Sequence, residues 1–147
     1  MEYIAHRRCK EISAAGERLN IPYGSAFTAV GDFIATPEGK AICCTTSETA
    51  YRYFARNDDG RGLERGELTY AIAYGRRSGL NRDGRYYRLN DGERAMLRRR
   101  WPHFLREYED TVLFNHAFFN AGVEELREIA GALKIRVKQE DKPCMQS

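Results

Sequence analysis

The sequence predicts an α+β fold: a small N-terminal antiparallel β-sheet or partial barrel followed by a C-terminal group of helices. Three observations carry this. Residues 2–45 are short alternating or apolar runs punctuated by Gly and Pro, the pattern of closely spaced strands. From residue 63 onward, apolar residues recur at helical spacing. Between the two halves lies Asn57-Asp58-Asp59-Gly60-Arg61-Gly62, which concentrates turn formers and both signs of charge. At 147 residues, with no linker or internal repeat, the chain reads as one domain over 1–135 and a disordered tail over 136–147.

In chain order, residues 2–8 alternate, with Tyr3, Ala5 and Arg7 on one face and Ile4 and His6 on the other. Residues 13–16 form a turn, and residues 17–21 a second strand that ends at Pro22-Tyr23-Gly24. Ala26, Thr28 and Val30 alternate next, then a short strand over 33–36, a turn at Pro37-Glu38-Gly39 and a strand over 40–45. All of residues 2–45 are expected in one twisted antiparallel sheet.

Thr46 or Ser47 can cap a short helix with Ala50, Tyr51, Phe54 and Ala55 on one face. A helix of about twelve residues starts near Leu63 and carries Leu68, Ala71, Ile72 and Gly75. Residues 76–88 read as an exposed, mobile loop, since they offer little apolar surface. Asn90 and Glu93 have capping-box spacing for a helix with Leu97, Trp101, Phe104 or Leu105, and Tyr108 on one side. Pro102 should kink or restart that helix near Trp101. An apolar run over 111–119 holds Asn115 and His116. Gly122 then opens a last helix with Val123, Leu126, Ile129, Ala130 and Leu133 as its stripe, and Lys134 at its end.

Composition excludes several classes. No apolar run approaches the length of a membrane span, and the first residues lack the apolar core of a signal peptide, so a cytoplasmic location is expected. Cys9, Cys43, Cys44 and Cys144 show no CxxC spacing, and reduced thiols are expected. Cys43 and Cys44 should point to opposite faces of a strand. His6, His103 and His116 are scattered, so neither a metal site nor any cofactor is expected.

Net charge of +3 hides an asymmetry: residues 76–106 hold ten arginines against three acids, +7, and the remainder balances to −4. Arginine forks suit phosphates, and interleaved aromatics can stack on bases. Arg85, Arg88, Arg94, Arg98, Arg99, Arg100 and Trp101 are the candidate binding residues, for nucleic acid or an acidic protein partner. No helix-turn-helix, RNP motif or zinc finger accompanies them.

Catalytic candidates are few. The 57–62 loop fails as an EF-hand, with Arg61 and Leu68 where acidic ligands belong, and lacks a Walker ending. Gly62 could leave free amides for an anion at a helix start, against the plainer reading that Asp58 or Asp59 accepts backbone hydrogen bonds in a connection. The enzyme alternative uses His116 as a desolvated base with Asp58 or Asp59, or a cysteine thiol paired with His6 or His116. Neither has motif spacing in support. Aromatics near Trp101 and Phe118 would offer a dimer face if exposed.

The strings YFARNDDGRGLERGEL and FNHAFFNAGVEELREIA resemble a group of small proteins from prophages and phage-like elements of Gram-positive bacteria. The resemblance spans residues 1–135. It implies a mobile-element accessory protein in the cytoplasm of a bacterial host, with no catalytic role attached to any residue.

Overall fold

Strand alternation in the first part of the chain produces a five-stranded antiparallel sheet. In the computed structural model, residues 1–12, 16, 18–75, 90–108 and 111–135 are described. Strands β1 (Glu2–Ala5), β2 (Cys9–Ile12), β3 (Arg18–Ile21), β4 (Ala26–Val30), β5 (Phe33–Ala35) and β6 (Ala41–Cys44) come first. Helix α1 (Glu48–Tyr53) is followed at once by β7 (Phe54–Arg56), and the sheet order is β6-β5-β4-β1-β7. The α+β class and the antiparallel N-terminal sheet agree with the sequence.

Two details differ. Strands β2 and β3 pair only with each other and form a separate hairpin, with Cys9 and Ile21 buried in the same core as Tyr3, Phe27, Ile34 and Phe54. Phe54 and Ala55, expected on the helix, belong to β7 and pair with Ala5 and Ile4. The helix stops at Tyr53 because Phe54 takes extended backbone, and the flank of β1 supplies a ladder for it and the next two residues. Cys43 packs against the sheet core and Cys44 is exposed, on opposite faces as the strand period requires.

Helix α2 (Gly62–Tyr70) runs directly into a π-helical turn, Ala71–Gly75. It lies hard against β1, because a Cβ on Gly62 would sit 2.6 Å from Ile4 Cγ2 and one on Gly66 2.2 Å from His6 Cγ. Two glycines four residues apart thus form a bare face on which helix and strand meet.

Helix α3 (Asp91–Arg100) begins with the expected capping box: Asn90 accepts from the Glu93 amide at 2.7 Å and donates its own to the Glu93 carboxylate at 3.0 Å. The expected continuation to Tyr108 is not observed. Trp101 ends the helix, residues Pro102–Phe104 make one 3₁₀ turn, and β8 (Leu105–Tyr108) pairs with β9 (Thr111–Phe114) as a hairpin. Pro102 removes a helical donor, and the β-favouring run of Thr111 to Phe114 offers the preceding residues a partner.

Helix α4 (His116–Phe119) is capped by Asn115, and α5 (Val123–Ala132) buries Val123, Leu126, Ile129 and Ala130 as the spacing predicts. The second core is helical and aromatic: Leu68, Leu97, Trp101, Phe104, Phe114, Phe118, Leu126 and Ile129 are among its members. Among the described residues, no helix is long and apolar enough to cross a membrane. Residues 76–88, expected as a mobile loop, and the 136–147 tail lie outside the described residues.

Candidate functional site

The connection between the halves closes on itself. Asn57 Oδ1 accepts from the Gly62 amide at 2.7 Å, so the amide considered for an anion already has its partner. Asp58 accepts from the Glu2 amide at 2.7 Å and lies 3.4 Å from Arg56. Asp59 accepts from the Arg61 amide at 3.0 Å and from Arg65 through both carboxylate oxygens, at 2.5 and 3.2 Å. Those hydrogen bonds from Arg65 hold the Asp59 carboxyl well below the usual range. Both aspartates accept backbone hydrogen bonds in the connection, the arrangement the plainer reading describes.

Arg65 is the residue the sequence analysis missed. Its side chain is 6 % exposed, and it donates to Ala121 O at 2.8 Å and Arg56 O at 2.7 Å as well as to Asp59. One guanidinium therefore binds the loop, β7 and the start of α5 together. A signal was present: Arg65 stands three residues before Leu68 and seven before Ile72, on the apolar stripe of its own helix. A charge at that position is buried, and a buried charge has partners.

His116 is exposed, and its ring meets Tyr51 and Asn120. Nδ1 lies 2.8 Å from the Tyr51 hydroxyl and Nε2 lies 3.2 Å from Asn120 Nδ2. Asn120 Nδ2 also lies 3.5 Å from Nδ1, nearly equidistant from both ring nitrogens, so it covers the ring face and fixes no tautomer. Burial pushes the Tyr51 phenol up to about 12, which keeps it protonated. Among the described residues no contact joins His116 to Asp58, Asp59 or a cysteine. Asn115 is also structural, since it caps α4 and donates to His103 O at 3.0 Å. His6 is fully buried at the seam between the halves, against Gly66.

Beneath His116, Tyr51 stacks on Phe119 with ring centroids 4.2 Å apart. The π-helical turn sets Tyr70 and Tyr74 side by side at 5.5 Å, with Arg7 over one ring and Arg52 over the other. Ring contacts of this sort join α1, α2 and α4 into one surface, and they fill it with intramolecular partners.

The arginine candidates divide into three groups. Arg85 and Arg88 lie outside the described residues. Arg94 is half-buried and bonds Asp91 within its own helix. Arg98, Arg99 and Arg100 are exposed in succession at the end of α3, where the macrodipole favours cations. Arg98 lies 3.3 Å from Glu107, and Arg100 covers the Trp101 ring at 4.3 Å. Arg99 has no carboxylate partner among the described residues. Arg106 is exposed on β8, next to Glu107.

Trp101 itself is only 4 % exposed, which corrects its place among the base-stacking candidates. Its ring is the wedge that closes α3 onto the helical core. Phe118, at 0 %, is likewise withdrawn from the expected dimer face. Both are large apolar surfaces that the second core needs more than the exterior does.

Comparison with the models of protein families, with curated proteins and with solved structures finds no match to this chain.

Proposed function

We propose that this chain is a non-catalytic accessory module that binds nucleic acid through the C-terminal end of α3. The observation that carries the reading is the unbroken exposure of Arg98, Arg99 and Arg100, with Arg106 exposed on the strand that Arg98 reaches. Since Trp101 is buried, such binding runs through phosphates and not through stacked bases, and is weakly selective for sequence. The setting is the one implied by the resemblance, a mobile genetic element working in the cytoplasm of a bacterial host. The engagement of Asp58 and Asp59 by Glu2, Arg61 and Arg65, away from His116, speaks for binding over catalysis.

Fluorescence anisotropy with a labelled DNA or RNA oligonucleotide tests it. Affinity should fall steeply between low and physiological salt. Charge reversal of Arg98, Arg99 and Arg100 to Glu should weaken binding by about tenfold or more and flatten the salt slope. Absence of binding at low salt, or equal binding by the reversed variant, overturns the reading. Tighter binding of an acidic polypeptide than of any oligonucleotide would transfer the surface to an acidic protein partner.

A further inference from the structure

Helices α2 and α5 leave a groove between them of about 400 Å³, in the size range of small-molecule sites. Leu68, Ala130 and Ile135, all buried, supply an apolar floor. The walls carry the carboxylate of Glu64, which Arg61 also holds, and the guanidinium of Arg127, while the carboxylate oxygens of Glu67 are buried beneath them. The Glu67 side chain is 5 % exposed and lies 3.6 Å from Arg7, while Arg127 is more than half exposed and bonds Glu64. Opposite charges thus face each other across one wall, above an apolar surface.

Gly131 is a second, independent observation. It lies within α5 and lines this groove, yet a Cβ built on it meets no heavy atom within 4 Å. Close packing does not require glycine there, one residue before the end of the helix. The missing side chain leaves room in the groove.

We infer that this groove binds a small zwitterion with an apolar tail, of the class of free α-amino acids with aliphatic or aromatic side chains. Its carboxylate sits in the fork of Arg127, which matches that geometry with two parallel bonds. Its ammonium lies against Glu64, and its side chain covers Leu68, Ala130 and Ile135. Arg127 and Glu64 exchange each other for the ligand's two charges, so no charge is left unpaired on binding. None of the described wall residues is on α3, so the inference stands apart from the nucleic-acid reading.

The test is a titration of the full chain with L-phenylalanine and L-leucine, followed by calorimetry and by methyl resonances of Leu68, Ala130 and Ile135. Saturable binding that shifts those methyls is expected. Gly131→Leu, which fills the groove, should weaken it about tenfold or more. Arg127→Gln, on a mostly exposed side chain that does not endanger folding, should do the same. Phenethylamine and 3-phenylpropionate, each lacking one charge, should bind at least about tenfold more weakly than L-phenylalanine. No binding of either amino acid up to about 10 mM, a free energy of only about −3 kcal/mol, overturns the inference. Equal binding by both variants, or by the singly charged analogues, overturns it as well.

Discussion

The sheet core and the helical core of this chain are stabilised in different ways. Around β1 to β7 the buried residues are dispersed, from Tyr3 and Phe27 to Ile34 and Phe54, and the outer ends of β4 and β5 leave Val30 and Phe33 in solvent. Around α3 to α5 they are dense and aromatic, with Phe114 stacked on Phe118 at 4.0 Å and Phe118 edge-on to Phe119. Neither cluster contains a charge. Among the described residues, the buried polar ones, His6, Arg65, Glu67 and Thr69, fall on β1's C-terminal flank and on α2, where the two halves join. The contrast teaches that packing builds each half and directional bonds fix how they meet. Apolar contact is tolerant of small rotations, whereas the Arg65 guanidinium, bound to three separate segments, admits one arrangement.

The most severe way to break that distinction is Arg65→Met, which keeps the bulk and removes the bonds. It strands two backbone carbonyls, while half-exposed Asp59 keeps the Arg61 amide and solvent, and the expected loss is about 2–4 kcal/mol in urea denaturation. A loss under about 1 kcal/mol would show that the seam is held by apolar contact like the two cores. Gly66→Ala comes next. Its methyl would meet the His6 ring, and overpacking of this sort costs about 1–3 kcal/mol. His6→Ala in the same chain should restore part of that, and strictly additive losses in the double-mutant cycle would remove the claimed contact.

Acid sharpens the comparison with a smaller effect. Burial holds the His6 imidazole down to about 3, against an ordinary value near 6.5. Above pH 6.5 the ring is neutral in both folded and unfolded chains, so nothing is lost. Below it the unfolded chain takes up a proton that the folded one refuses, and stability falls until about pH 3. Between pH 7 and pH 5 the loss should be roughly 2 kcal/mol, at up to 1.4 kcal/mol per pH unit. His6→Leu should abolish the slope in that window. Asp59 acts in the same direction at lower pH, because its depressed carboxyl protonates more readily once Arg65 is released. A variant lacking His6 with an unchanged slope would place the titration elsewhere.

Much of the fold was legible because the signals are local. The capping box at Asn90, the Ser47 cap and the stripe of α5 each depend on residues within one or two turns of chain. The alternation of β1, β4 and β6 is local too. What went unread depends on partners far along the chain. Residues 105–108 continue the apolar stripe of Leu97 and Trp101 at helical spacing, through Leu105 and Tyr108, and became a strand because residues 111–114 offered a ladder. The pair between those strands, Glu109-Asp110, is not the Asn-Gly type that marks a hairpin in sequence. Phe54 and Ala55 joined β1 for the same reason.

By itself, then, the amino-acid sequence determined the class of the fold, the helix caps, the apolar stripes and the crowding of arginine into one stretch. Tertiary structure decided which of those side chains remain available. It buried Trp101 and Phe118, turned Asp59 into the partner of Arg65, set Tyr51 and Asn120 against the ring of His116 and left Arg98, Arg99 and Arg100 outside. The physical reason is range. Periodicity and capping act over a few residues, while burial and hydrogen-bond partnership are settled only when distant segments are brought together.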